Sequence, residues 1–320
     1  MIGIIADGNF LKREDAEREF PKVLEGKEEW EIYESFDSML EDRDKIEIMF
    51  STVAIDGDKI KGFKNLKWIF SYSAGVDIYP LQTLKEMGVF LTNTSGVHAK
   101  NISEQVIGAM IAFSRNFIES MKNKRKKKYD KSIRLGELVG QKLLIVGTGA
   151  IGKEIARKAD FFEMEVDGVR SKKSDDKIEH FNKVFSIDEI DNILGDYQYI
   201  VSVLPSTEKT KNLFDKKKFN LMNKDAVFMN VGRGDLVVEA DLIDALENHK
   251  IRGAYLDVYN VEPLEESSKL WDLDNILMTP HNAGITPHYL KRSLEIFDHN
   301  LRNFREGKDL INIIDYKLGY

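Results

Sequence analysis

Three glycines stand at the spacing G-x-G-x-x-G in the stretch GTGAIG: Gly147, Gly149 and Gly152. They follow the apolar run LLIV and precede a stretch with helical spacing. In that context the first glycine permits a tight turn and the second lets backbone approach a pyrophosphate. The third lets a helix pack on a strand. A helix opening at Ala150 and Ile151 offers unpaired N–H groups to the same anion. Such a unit binds a dinucleotide, and about 20 residues on it places the residue that meets the adenosine ribose. There the chain reads VDGVRSKKSD. Asp167 is near by count but falls inside the predicted strand MEVDGV, whose end is Val169. Arg170 comes just beyond, followed by Ser171 and Lys172. A guanidinium at that place suits a ribose 2′-phosphate through paired, charge-assisted bonds. The expected cofactor is therefore NADP(H) rather than NAD(H).

The elements that position these residues are legible as alternating patterns. Up to about residue 98, short apolar runs (IGIIAD, EWEIYE, IEIMFS, LKWIFSY, VFLTNT) alternate with charged stretches of helical spacing such as KREDAEREFPKVLEG and LQTLKEMG. That alternation predicts a parallel sheet with helices on its faces. A long helix is predicted over ISEQVIGAMIAFSRNFIESMKN, in position to link two domains, and the basic run KNKRKKKYDK reads as its solvated end. A second series follows, with strands at KLLIVG, MEVDGV, YQYIVSVLP, AVFMNVG, RGAYLDV and NILMTP, and helices at IGKEIARKADFF and EADLIDALENHK. Six such strands make a doubly wound, dinucleotide-binding sheet. The segment PHYLKRSLEIFDHNLRNFREG is amphipathic and is expected to fold back onto the first domain.

Composition narrows the classes. The 320 residues carry a net charge of -7, which disfavours nucleic acid as a partner, because phosphate binding needs basic surface. There is no cysteine, so thiol catalysis, disulfides and thiolate metal sites are excluded, in keeping with the cytosol. No apolar run approaches the ~18 residues of a membrane helix. The N-terminal MIGIIAD reads as a first strand and not as a signal peptide. No His/Asp/Glu cluster has convincing metal spacing, so no metal is expected.

Further stretches line up along the chain: SYSAGVD (71–77), NTSGVHAKNISEQ (93–105), LPSTEKT (204–210), NVGRGDLVVE (230–239), LDVYNVEPL (256–264) and TPHNAG (279–284). With the glycine turn, this set resembles the D-isomer-specific 2-hydroxyacid dehydrogenases, which include glyoxylate/hydroxypyruvate reductases and phosphoglycerate dehydrogenases. The resemblance covers nearly the whole chain, and it implies roles. The family's catalytic arginine, acid and histidine match Arg233, Glu262 and His281. Each residue type has a common structural use when taken singly. Together they suit the reduction of a 2-keto acid, in which a carbonyl carbon takes hydride while its oxygen takes a proton. A histidine titrating near neutrality can supply the proton. A carboxylate beside it stabilises the imidazolium. An arginine fork can hold the substrate carboxylate and polarise the carbonyl.

The same resemblance implies that the backbone amides of Ala74 and Gly75 cradle the substrate carboxylate. It sets Leu204, Pro205 and Thr210 around the adenosine and phosphates, and Asp257 at the nicotinamide amide. Val231, His281 and Gly284 are further positions beside the cofactor, and His98 is assigned to structure or the domain junction. Members of the family that prefer NAD carry an acid where Arg170 stands. The regulatory domain of some phosphoglycerate dehydrogenases has no counterpart here, which argues against feedback control.

The expectation is an α/β protein of two domains: a Rossmann, doubly wound nucleotide-binding domain at 99–284, and a flavodoxin-like substrate domain. The latter takes 1–98 and the returning helix within 285–320. Closure of the cleft between them would exclude water. The expected partners are a small 2-keto or 2-hydroxy acid and a second copy of the chain in a homodimer, with neither nucleic acid nor membrane. Two rivals remain: a nucleotide-sensing corepressor-like binding protein, and a formate- or phosphite-type dehydrogenase on the same scaffold.

Overall fold

The computed structural model describes residues 1–171 and 177–316, and the chain divides into two compact units: 1–97 with 286–320, and 98–285. The first unit opens with five strands, all parallel: β1 (Ile2–Ile5), β2 (Trp30–Tyr33), β3 (Ile48–Ser51), β4 (Trp68–Ser71) and β5 (Phe90–Thr92). Their order is β2-β1-β3-β4-β5, the flavodoxin-like arrangement. These are the five apolar runs of the sequence. The charged stretches between them supply helices α1 (Arg13–Glu19), α2 (Pro21–Leu24), α3 (Phe36–Met39) and α4 (Leu81–Met87). Pro21 stands at the first position of α2, where its missing N–H costs nothing.

The second unit begins with α5 (Ala99–Ser114) and α6 (Phe117–Arg125). Sequence periodicity predicts one helix here, but the structure breaks it at Asn116, whose φ is 52°. Asparagine tolerates that left-handed conformation better than most residues, while the 3.6-residue spacing passes straight through the break. Both helices belong to the second unit, and α5 begins just after the chain leaves the first. The lysine-rich run after Asn123 is exposed, the solvated helix end that was expected.

Seven parallel strands follow: β6 (Lys142–Val146), β7 (Glu165–Arg170), β8 (Lys183–Ser186), β9 (Tyr199–Ser202), β10 (Val227–Asn230), β11 (Gly253–Leu256) and β12 (Ile276–Met278). The order β12-β11-β10-β9-β6-β7-β8 is the Rossmann order with one strand added beside its last. The sequence reading missed β8, a short edge strand with no fully buried residue and hence no apolar run. Helices α7 (Ala150–Phe161), α8 (Lys216–Leu221) and α9 (Glu239–Glu247) connect strands of this sheet. The order reverses between β6 and β9, and ligands bind outside the carboxyl ends of strands at such a switch point.

The last helix, α10 (Tyr289–Glu306), returns to the first unit. It buries Leu294, Phe297 and Leu301, one stripe at three- and four-residue spacing. Phe297 stacks on Trp68 at 5.2 Å and meets Phe50 edge-on at 5.4 Å. Burial of that stripe is what makes the unit discontinuous in sequence. No helix among the described residues is long and apolar enough to cross a membrane.

Candidate active site

The glycine turn sits at the switch point, directly after β6. Gly147 has φ 116°, a region that side chains rarely adopt. A Cβ on Gly152 would lie 2.0 Å from the Gly147 carbonyl oxygen, so only glycine lets α7 start this close to the turn. A Cβ on Gly149 would meet nothing within 4 Å, leaving the space a pyrophosphate needs. Ala150 and Ile151 open the twelve-residue helix α7 beside it. These residues fit a dinucleotide.

Arg170 is the last residue of β7 rather than the residue beyond it. Arg170 is partly buried, and its guanidinium has no hydrogen bond or ion pair to the described residues. Ser171 follows and is exposed; Lys172 lies outside the described residues. Asp167 is committed elsewhere. Its carboxylate accepts the Lys183 amide at 3.0 Å and the Tyr197 hydroxyl at 2.7 Å. Burial, reinforced by that carboxylate, pushes the Tyr197 phenol well up.

Three neighbouring strands deliver the other candidates to one edge of the sheet. Arg233 follows β10, Glu262 lies in the loop after β11, and His281 follows β12. Because all three strands are parallel, all three residues leave from carboxyl ends. The glycines of VGRGD wedge the arginine in place. A Cβ on Gly232 would lie 2.6 Å from the Leu204 carbonyl oxygen, and one on Gly234 would lie 1.9 Å from that of Tyr259. The Arg233 loop therefore packs directly on the loop that carries Glu262. Arg233 is exposed, and its Nη1 donates to the Gly232 carbonyl at 2.8 Å.

His281 Nδ1 lies 2.7 Å from Glu262 Oε2, and Glu262 Oε1 accepts the Tyr259 amide at 2.9 Å. Burial pushes the Glu262 carboxyl up. The bonds from His281 and the Tyr259 amide, with the charges of His281 and Arg233, outweigh it and hold the carboxyl below the usual range. Glu262 is thus an anion at neutral pH. The imidazole is half exposed, and its Nε2 has no partner among the described residues.

His281 has φ 50°, and a brace fixes that conformation. The Asp257 carbonyl accepts the His281 amide at 2.8 Å. The buried Asp257 carboxylate accepts the Thr279 hydroxyl at 2.5 Å, the Asn282 amide at 3.1 Å and the Ala283 amide at 3.1 Å. Asp257, expected beside a nicotinamide amide, also braces the histidine turn. From α5, Gln105 donates to the Thr279 hydroxyl at 3.0 Å and to Tyr255 at 2.6 Å, and Asn101 donates to the Ala283 carbonyl at 2.6 Å. His98 bonds through Nδ1 to the Gly284 carbonyl at 2.9 Å, the structural use expected of it. The sequence reading gave Asn101, Gln105 and Thr279 no role. Their signal was present in the NISEQ and TPHNAG stretches, but their pairing is between distant parts of the chain.

Leu204 and Pro205 follow β9 on the same edge, and Val231 follows β10, buried, with its amide on the Ser202 carbonyl at 3.1 Å. The Thr210 hydroxyl closes its own loop by donating to the Pro205 carbonyl at 2.7 Å. In the first unit, Ala74 and Gly75 are exposed after β4. Their amides have no acceptor among the described residues, so they are open to an anion. The loop is held from β5: Asn93 donates to the Ala74 carbonyl at 2.6 Å, and the Thr94 amide donates to the Ser73 carbonyl at 3.3 Å.

Comparison with known proteins agrees with this architecture. The family model described as D-isomer specific 2-hydroxyacid dehydrogenase, NAD binding domain, matches residues 107–283. The chain is 35% identical over 236 residues to a probable 2-ketogluconate reductase of Dictyostelium discoideum, covering 72% of this chain and 70% of that protein. It is 28% identical over 269 residues to a D-3-phosphoglycerate dehydrogenase of Methanocaldococcus jannaschii; the match takes in 84% of this chain but only about half, 51%, of that relative's length. Among solved structures, an NADPH-dependent glyoxylate/hydroxypyruvate reductase from Sinorhizobium meliloti, in complex with NADP and sulfate, is similar with a TM-score of 0.78. Its identity is 25%, over 100% of this chain and 99% of that one.

Proposed function

The chain belongs to the D-isomer specific 2-hydroxyacid dehydrogenase family, and from that premise we propose that it reduces a small 2-keto acid, of the glyoxylate or hydroxypyruvate kind, to the D-2-hydroxy acid. The observation that carries this reading is the His281–Glu262 contact of 2.7 Å beside Arg233. A bound nicotinamide supplies the hydride. The chain's own residues do the rest. With Nδ1–H donating to Glu262, Nε2 is the nitrogen that gives its proton to the carbonyl oxygen. Glu262 holds the ring's orientation and balances the imidazolium charge. Arg233 grips the substrate carboxylate and polarises the carbonyl, and the Ala74 and Gly75 amides cradle that carboxylate. Initial rates over a panel of keto acids with NADPH and NADH test the reading. Turnover of formate or phosphite in place of every keto acid would replace it, and binding of peptides without turnover would favour a corepressor-like role.

The pH profile tests the pairing. Glu262 must be ionised to hold the imidazole, so the rate of reduction falls where its carboxyl is protonated as pH drops. That carboxyl is held below the usual range, so the acid-side fall should begin only below the ordinary carboxylate range. In Glu262→Gln no carboxyl titrates there, so that acid-side fall of kcat/KM should disappear while kcat/KM is lower throughout. An unmoved profile would show that the two groups do not cooperate.

Arg170 supports a preference for NADP(H), since it ends β7 where the ribose of a bound dinucleotide belongs and has no partner among the described residues. Charge-assisted bonds are worth roughly 1.5–3 kcal/mol each, so Arg170→Asp should cost about 10-fold to 100-fold in NADPH affinity. The expected preference is then erased or reversed. Asp167→Asn should leave it intact, because that carboxylate serves Tyr197 and β8. Cofactor kcat/KM ratios for the wild type and both variants decide; selectivity that vanished with Asp167 alone would move the discrimination there.

A homodimer of cytoplasmic location completes the proposal. In the second unit, Phe161 at the end of α7 is 84% exposed. It borders a hollow lined by Ile107 and Ile111 of α5 and rimmed by Glu104, Arg157 and Lys158, a face that a second copy would cover.

A further inference from the structure

The carboxyl edge of the first unit's sheet carries features that the hydride and proton chemistry does not use. Strands β1, β3 and β4 lie side by side, so their turns do too. Asp7, after β1, accepts the Thr52 hydroxyl at 3.0 Å and the Phe10 amide at 3.3 Å. Ser51 donates to the Val53 carbonyl at 2.9 Å, and the Tyr79 hydroxyl donates to the Ser51 carbonyl at 3.2 Å. The three turns are thus fastened together, with the Ala74–Gly75 amides on the third. Neighbouring strands are about 4.8 Å apart, so the first turn stands about 10 Å from that cradle, within reach of a phenyl side chain and a small ligand together.

What the turns present is uncharged or acidic. Phe10 is 75% exposed, Val53 is half-buried and Ile78 is 45% exposed. Their charged residues are Asp7 and Asp77; no lysine or arginine occurs in 7–10, 52–54 or 73–78. The next cations, Lys12 and Arg13, belong to the start of α1, and Arg13 is bonded to Glu17 at 2.8 Å. These three turns hold one anion cradle and no cation to balance a second negative charge, while Asp7 and Asp77 would repel it; Arg292 of α10, beyond them, donates to the Val97 carbonyl at 3.2 Å.

We propose that the substituent on the substrate's keto carbon is uncharged and meets Phe10 and Val53. The substrate class is then a 2-keto acid with a neutral or apolar side chain, not a phosphorylated or dicarboxylic one. This rests on the reading of the chain as a 2-keto acid reductase with its carboxylate cradle at Ala74 and Gly75.

The test compares kcat/KM for glyoxylate, hydroxypyruvate, 3-phosphohydroxypyruvate, phenylpyruvate and oxaloacetate on the full chain and on Phe10→Ala and Phe10→Lys. Phe10 is mostly exposed, so neither substitution removes core packing. A missing charge-assisted bond corresponds to about 10-fold or more. Hydroxypyruvate should therefore exceed its phosphate, and phenylpyruvate should exceed oxaloacetate, by at least that factor. Phe10→Ala should lower the phenylpyruvate-to-glyoxylate ratio, and Phe10→Lys should narrow the gap between hydroxypyruvate and its phosphate. If the wild type reduces no keto acid, the underlying reading falls and takes this inference with it. If glyoxylate is reduced but charged substrates match neutral ones, or both ratios are unmoved by the variants, the inference alone is overturned.

Discussion

His281→Ala is expected to lower keto-acid turnover by about 100-fold or more, the usual worth of a positioned acid–base group, with dinucleotide affinity near that of the wild type. The imidazole is half exposed, so its loss opens no cavity in the core. The glycine turn and Arg170 belong to other strands and are untouched. Alanine at φ 50° carries some backbone strain, so His281→Asn is the companion variant. Asparagine accepts that conformation and cannot act as the acid. Both variants should lose turnover alike. Near-native rates in either would remove His281 from the mechanism, and recovery in the asparagine variant alone would mean that the turn, not the proton, matters.

Arg233→Lys should lose about 100-fold in kcat/KM, comparable with removing one donor aimed at a developing oxyanion, although the charge is kept. An ammonium on a flexible stem cannot supply two parallel bonds to a carboxylate. Nor can the loop shift to compensate, because glycines on both sides of Arg233 are wedged against Leu204 and Tyr259. Lysine still provides a positive charge near Glu262, one of the causes that hold its carboxyl low. The pH profile should therefore stay near that of the wild type while rate and affinity fall. A lysine variant equal to the wild type would refute the forked grip, and a large profile change would mean that the arginine acts mainly through Glu262.

The sequence exposed the parts of this arrangement that lie close together along the chain. The five strands of the first unit were visible as apolar runs because both faces of a parallel sheet are buried. Gly147, Gly149 and Gly152 could be read because the turn needs glycine within six consecutive residues. The fall of Arg233, Glu262 and His281 just past strand ends was also visible, but not that β10, β11 and β12 are neighbours. β8 escaped because its residues are partly exposed, and the break at Asn116 escaped because the apolar stripe continues across it. The brace of the histidine turn was hidden for another reason. Gln105 and Thr279, or Asn101 and Ala283, are joined only by the fold, and no local spacing announces the pair. Asp257 shows the same limit: the resemblance set it at the nicotinamide amide, and no local spacing announces that its buried carboxylate also accepts from the turn's own amides.

The stereochemistry of the product tests the central claim most directly. The full chain is supplied with hydroxypyruvate and NADPH, and the glycerate formed is resolved on a chiral column. D-glycerate is expected, formed in step with NADPH oxidation and nearly abolished in His281→Asn. L-glycerate, a racemate, or no product under conditions where the protein is folded and binds NADPH would contradict it.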